Sequence, residues 1–172
     1  MRSIDFYVGV DLPHKLASYV EAGERVLLGG RPGFGKTVLA RRAFPNGFLI
    51  DKRHVVLTGE TLSGQVLPSA LERWEARTGS TLIIDEPQLL APAGLAQLIE
   101  QANSARRGYV VIAQMHRPAT SVRQGDWTES VVVDRALKMM TSDGRGVRII
   151  ALEARLCGEE FSWSERVLRP RA

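Results

Sequence analysis

The stretch Gly30-Arg31-Pro32-Gly33-Phe34-Gly35-Lys36-Thr37 follows the apolar run Val26-Leu27-Leu28 and opens a segment of helical period. Glycine and proline crowded together punctuate a chain, so a tight loop is expected here between a strand and a helix. Glycines let such a loop take backbone angles that side chains forbid. Successive N–H groups can then converge on one point at the positive end of the following helix. The spelling matches G-x-x-x-x-G-K-[ST] in full, with the strand before it and the helix after it that the pattern requires. In that pattern the loop amides hold phosphate oxygens, Lys36 reaches the β- and γ-phosphates as a point charge, and the Thr37 hydroxyl takes one position on Mg2+. Gly30, Arg31, Pro32, Gly33, Phe34, Gly35, Lys36, Thr37 and the adjoining Val38 are the candidate nucleotide-binding residues. The plain alternative is a glycine-rich strand-to-helix turn, and the context on both sides weighs against it.

A second motif lies 48 residues beyond Thr37, where "STLIIDEPQLL" sets Asp85-Glu86 at the end of an apolar, β-branched strand. Two adjacent acids at a strand end are costly unless they are paired or face a metal. In parallel α/β sheets ligands gather beyond the carboxyl ends of the strands, the edge where the glycine loop also belongs. Asp85 is therefore the candidate carboxylate for Mg2+, and Glu86 the candidate base that activates a water. Taken singly, each acid could equally be a helix N-cap or a turn residue.

Apolar runs alternate with helical segments along the rest of the chain, which predicts an α/β fold with a mainly parallel central sheet covered by helices. Strands are expected at 25–29, 47–51, 54–58, 80–85, 108–114, 130–134 and 147–153. Helices are expected from Gly35 to Ala43, Val66 to Arg77 and Pro92 to Ala105. Turn-forming residues at Asp143-Gly144-Arg145-Gly146 suggest that the last two of these strands, 130–134 and 147–153, pair as an antiparallel hairpin. With 172 residues, 44% of them hydrophobic, and no linker or repeat, the chain reads as a single domain over 1–172.

The formal charge of +4 rests on 19 arginines against four lysines. Guanidinium groups match phosphate geometry, so this balance suits phosphate or nucleic-acid contacts, and it equally suits a solvated arginine-rich surface. The doublets Arg41-Arg42 and Arg106-Arg107 are candidates for tracking a nucleic-acid backbone. No run approaches the length of a membrane span, and Asp5 and Asp11 stand where a signal peptide would be apolar, so a cytoplasmic location is expected. The single cysteine, Cys157, forms no internal disulfide, and His14, His54 and His116 lack metal-ligand spacing. Trp74, Trp127 and Trp163 are not interleaved with basic residues and read as packing.

Together the two motifs resemble those of the P-loop NTPases, in the branch with an extra strand between the phosphate loop and the Asp-Glu strand. The strand "GFLID" sits between the two motifs, as that branch would have it, and "GYVVIAQ" supplies a further strand ending in Gln114. The resemblance implies a three-layer α/β/α domain that binds Mg·ATP and hydrolyses it. It gives Gln114 the part of a polar residue sensing the γ-phosphate, unless that glutamine simply caps backbone groups. Within the superfamily, "VVIAQMHRPATSV" is similar to the strand-Gln-Arg-Pro arrangement of the FtsK–HerA DNA pumps and to the zonula-occludens-toxin-like ATPases of filamentous phages. Here Met115 and His116 separate Gln114 from Arg117-Pro118. This likeness implies a homo-oligomer, DNA or proteins of a phage or mobile-element system as partners, and an arginine supplied by a neighbour. Arg117 is the first candidate for that arginine, ahead of Arg106, Arg107 and Arg135. A small-molecule kinase and a nucleotide-switched scaffold with slow turnover stay open as alternatives at this point.

Overall fold

The computed structural model describes residues 11–51, 55–57, 64–66, 72, 74, 80–87, 90, 92–115, 131–154 and 161–170. In chain order the elements are helix α1 (Leu12–Glu21), strand β1 (Arg25–Gly30), helix α2 (Lys36–Ala43), β2 (Phe48–Ile50), β3 (Val55–Leu57), β4 (Gly64–Val66), β5 (Leu82–Asp85), helix α3 (Pro92–Ser104), β6 (Tyr109–Gln114), helix α4 (Val131–Met140), β7 (Val147–Ala154) and β8 (Phe161–Leu168).

Six strands form one sheet in the order β2-β5-β6-β1-β7-β8. The first five run parallel, and β8 returns antiparallel along β7, with Val147 opposite Leu168 and Ala154 opposite Phe161. An antiparallel pair does close the C-terminal end of the chain, but it joins β7 to β8, a strand that was not anticipated, and not 130–134 to 147–153 across the turn at 143–146, which instead links a helix to β7. Every residue of β1 is buried. That is what a central parallel strand covered on both faces demands, and it explains why β1 reads as an unbroken apolar run rather than an alternating one.

Alternate residues of the strands build two cores. On one face Leu27, Leu82, Ile84, Tyr109, Val111 and Ile149 pack with Leu95, Leu98 and Ile99 of α3 and Val133, Leu137 and Met140 of α4. On the other, Val26, Leu28, Ile83, Val110, Ile112 and Ile150 pack with Leu12, Leu16 and Val20 of α1 and Leu39, Ala40 and Phe44 of α2. Each fully buried leucine or isoleucine contributes about 1.5–3 kcal/mol relative to exposure, so these two apolar layers dominate the folding energy.

Several expectations need correction. The Val-rich stretch at 130–134 is not a strand: residues 131–140 form α4, because Val133, Ala136, Leu137 and Met140 recur at helical spacing and all are buried. The 54–58 strand exists as β3 but stands outside the main sheet, paired antiparallel with β4. Val66, taken as the start of a helix, ends β4; most of 67–77 lies outside the described residues. Helix α1 was not anticipated.

The topology places one crevice. From β1 the chain leaves through α2 on one face, and from the adjacent β6 it reaches β7 through α4 on the opposite face. Where neighbouring parallel strands send their connections to opposite sides, the carboxyl ends open a gap that connecting segments do not cover.

Candidate nucleotide and metal site

The loop between β1 and α2 stands at that gap. Gly35 caps α2 with φ 76°, and Gly33 has φ 81°, both in the left-handed region that glycine enters without a steric penalty. The turn therefore needs glycine at these places for backbone reasons alone. Helix bonding then begins at once, with the Leu39 amide donating to the Gly35 carbonyl at 2.8 Å.

Lys36, on the first turn of α2, is 8% exposed and donates through Nζ to the carbonyls of Gly30 at 2.9 Å and Arg31 at 2.8 Å. Burial lowers its pKa from the ordinary lysine value, and the Asp85 and Glu86 carboxylates act in the opposite direction. The cleft thus holds an ammonium that lacks solvation and would gain from more negative charge within reach. One residue further on, Thr37 Oγ1 donates to Asp85 Oδ2 at 2.7 Å and ties the start of α2 to the end of β5.

Glu86 follows directly, with φ 54°. A non-glycine residue in the left-handed region costs about 1 kcal/mol or more, and such positions cluster where a side chain is held for a purpose. Between β1 and β5 in space lies β6, in register so that Gly30 faces Gln114 and Asp85 faces Ile112. The strand standing between the two motifs is therefore β6, while "GFLID", which lies between them in sequence, forms the outer strand β2. Gln114 is exposed at the carboxyl end of β6.

These elements converge on a cleft of about 320 Å3 lined by Pro32, Gly33, Lys36, Thr37, Asp85, Glu86 and Gln114. Two hollows beside α3 are larger, about 640 Å3 and 500 Å3. The cleft is singled out by its chemistry rather than by its size: it alone of these three gathers a buried ammonium, two carboxylates and a helix amino end. Of the other residues named from sequence, Arg31 and Val38 are exposed, Val38 at 46%, Phe34 is half-buried, and none of the three is among the residues lining the cleft. Arg117 lies outside the described residues.

Sequence reasoning passed over Met115 as an interruption in a motif. Its amide donates to the Gly30 carbonyl at 3.2 Å, and its fully buried side chain fills the space where a Cβ on Gly29 would stand. Only the register of β6 against β1 reveals this, so no sequence signal pointed to it.

Among the described residues the charges within the cleft are one ammonium and two carboxylates, an excess of acid that a divalent cation would balance. Thr37 and Asp85 offer few protein oxygens. That sparse set suits Mg2+, which keeps several waters and is bound through one or two carboxylates plus substrate phosphates. The fold and the cleft together make this a candidate site for a phosphate group and a divalent cation at the carboxyl edge of a parallel sheet. No protein-family model and no curated protein matches the chain.

Proposed function

We propose that the protein binds Mg·ATP in this cleft and hydrolyses it, as a three-layer α/β/α domain of the P-loop NTPase kind working in an oligomer on DNA. The observation that carries the reading is the convergence of Lys36 and Thr37 with Asp85, Glu86 and Gln114 on one cleft, brought together from three separate elements.

Amides of residues 31–36 and the Lys36 ammonium hold the β- and γ-phosphates at the positive end of α2. Thr37 and Asp85 hold magnesium, whose chemistry when bound is to neutralise charge on the phosphate oxygens. Glu86 accepts the proton of a water whose oxygen forms a bond to the γ-phosphorus as the bond to the β,γ-bridging oxygen breaks, leaving ADP and phosphate. Gln114 orients that water from the neighbouring strand. Arg117, or another arginine from an adjacent copy, neutralises charge developing on the transferred group. The basic surface and the Gln-x-x-Arg-Pro segment support DNA, within a phage, plasmid or conjugation system, as the object of the work.

Titration calorimetry with ATP, with and without magnesium, tests the binding half. Magnesium-dependent uptake is expected, and none at all rejects the reading. Glu86→Gln should still bind Mg·ATP while turnover falls by about 100-fold or more, the usual scale for losing a general base. Undiminished turnover in that variant removes Glu86 from its role.

A further inference from the structure

We propose that the edge of the sheet opposite the nucleotide cleft carries a docking surface for the phosphodiester backbone of a nucleic acid, seated on Arg106 and Arg107 and extended by Arg41 and Arg42. This deepens the nucleic-acid part of the reading above and does not depend on its nucleotide part.

Helix α3 ends with the Arg107 amide donating to the Ala102 carbonyl and the Arg106 amide to the Asn103 carbonyl. This pair of bonds is the Schellman termination, which sets the residue after the helix end in the left-handed region and favours glycine there. Arg106 occupies that position with φ 51°. Helix α1 ends on the same pattern, the Glu24 amide donating to Tyr19 and the Gly23 amide to Val20, and there the residue is glycine, with φ 82°. The two terminations flank one cleft of about 280 Å3 that also takes in Ser80, Thr81 and Arg107. The same turn is thus built twice around one hollow, and at one of the two an arginine replaces the residue that would hold the turn at least cost. Backbone preference does not account for that arginine; a positive charge at the mouth of the hollow does.

Its surroundings are basic. Arg106 is exposed and Arg107 half-buried, and among the described residues neither is paired with an acid. The last turn of α2 carries Arg41 and Arg42, both exposed and equally without an acid partner among the described residues. That turn ends on the same edge, since the Phe48 amide just beyond it donates to the Thr81 carbonyl at 2.8 Å. Among the described residues Glu21 is the one acid lining the cleft, against two guanidinium groups there and two more along the edge. Arginine forks with serine and threonine hydroxyls between them match phosphate oxygens, and such contacts position a backbone without reading its sequence. The surface lies about 20 Å from the phosphate loop, the rise of the six-residue strand β1.

Fluorescence anisotropy of a labelled DNA duplex, with the full chain, no nucleotide and a series of salt concentrations, tests the proposal. If all four arginines neutralise a phosphate, log K should fall with log salt at a slope steeper than about −3. Arg106→Gly should bind several-fold more weakly and flatten the slope by about 0.9, while melting about 2–4 °C higher because the turn regains its preferred residue. Replacing Arg41, Arg42, Arg106 and Arg107 together by alanine should abolish binding at moderate salt. The proposal is overturned if the duplex does not bind at low salt, if the fourfold variant binds like the parent, or if polyglutamate competes as well as unlabelled DNA. Because nucleotide is absent throughout, failure here and failure of ATP binding are separate results.

Discussion

At the scale of single residues, charge burial is the feature with the clearest thermodynamic consequence. Arg25, at the amino end of β1, is 1% exposed, and its guanidinium grips both carboxylate oxygens of Asp143 and the Met140 carbonyl. The Arg25 hydrogen bonds, helped by bonds from Arg145 and opposed by burial, hold the Asp143 carboxyl well below the usual carboxylate range. Because the folded value is depressed, the stabilisation is fully present above about pH 4, the unfolded carboxylate value, and is lost as pH falls below it. Asp143→Asn should cost about 2–3 kcal/mol at neutral pH, somewhat under the 3–5 typical of breaking a buried pair, because Asp143 is partly solvated. Urea melts across a pH series should show the gap between variant and parent closing below about pH 4. The sequence showed Asp143 only as a turn former and Arg25 only as a strand end. Their pairing joins residues 118 apart, which no local pattern encodes. Lys36 and Thr37 were legible because a phosphate-loop pattern ties residue type to a local backbone, and Asp85 and Glu86 because two adjacent acids closing an apolar strand stand out from it. Gln114 was legible only as a polar residue closing an apolar strand, and its place beside Gly30 is a matter of register.

Among the elements, legibility followed the length over which a period could be sensed. Strands β1, β5, β6 and β7 and helices α2 and α3 fall close to their expected positions, because each is a continuous apolar run or a long amphipathic one. Helix α4 was missed because three consecutive valines favour a strand locally, whereas burial at 133, 136, 137 and 140 decides for a helix over ten residues. Helix α1 did carry its signal, Leu12, Leu16 and Val20 at four-residue steps with a proline in the first turn. It is held against the hairpin by Arg148, whose guanidinium lies 3.8 Å from the Tyr19 ring centre, by Lys15 over Trp163 at 4.4 Å, and by the Tyr19 hydroxyl donating to Glu165 at 2.9 Å. Where α1 turns into β1 it meets the start of β6 at Gly108. A Cβ there would stand 2.1 Å from the Val20 carbonyl oxygen and 2.7 Å from that of Glu24. Backbone cannot yield as a side-chain tip can, so Gly108→Ala should lower the unfolding free energy by about 2–3 kcal/mol, measurable as a reduced urea midpoint at unchanged slope. A parent-like midpoint would show that α1 and β6 can separate freely.

For the molecule as a whole, alternating strands and helices were enough to expect a parallel α/β sheet, but not the order of its strands or the setting apart of β3 and β4. Spatial order depends on long-range pairing, and the pairing of β1 with both β6 and β7 is chosen by two apolar faces at once. Among the described residues no helix is long and apolar enough to cross a membrane. If the proposed ligand binds only the folded chain, Mg·ATP at 100 times its dissociation constant should add about 2.7 kcal/mol to stability. For a chain of this size that is a rise of about 5–10 °C in melting temperature. Lys36→Met should show no such rise in a thermal-shift assay, and without nucleotide it should melt no lower than the parent, since burial already disfavours the charged lysine. A full shift in that variant would place the ligand elsewhere.

The Gly30 carbonyl accepts from the Lys36 ammonium and from the Met115 amide at the same time. One oxygen with two lone pairs thus serves two unlike partners, one on a swinging side chain and the other on a neighbouring strand. An anion that drew the ammonium away would release the first and leave the second in place. In the proposed reading the loop would then exchange an internal guest for an incoming one while the Met115 bond stays in place, so that capture would ask a side chain to swing and no rearrangement of the sheet beneath it.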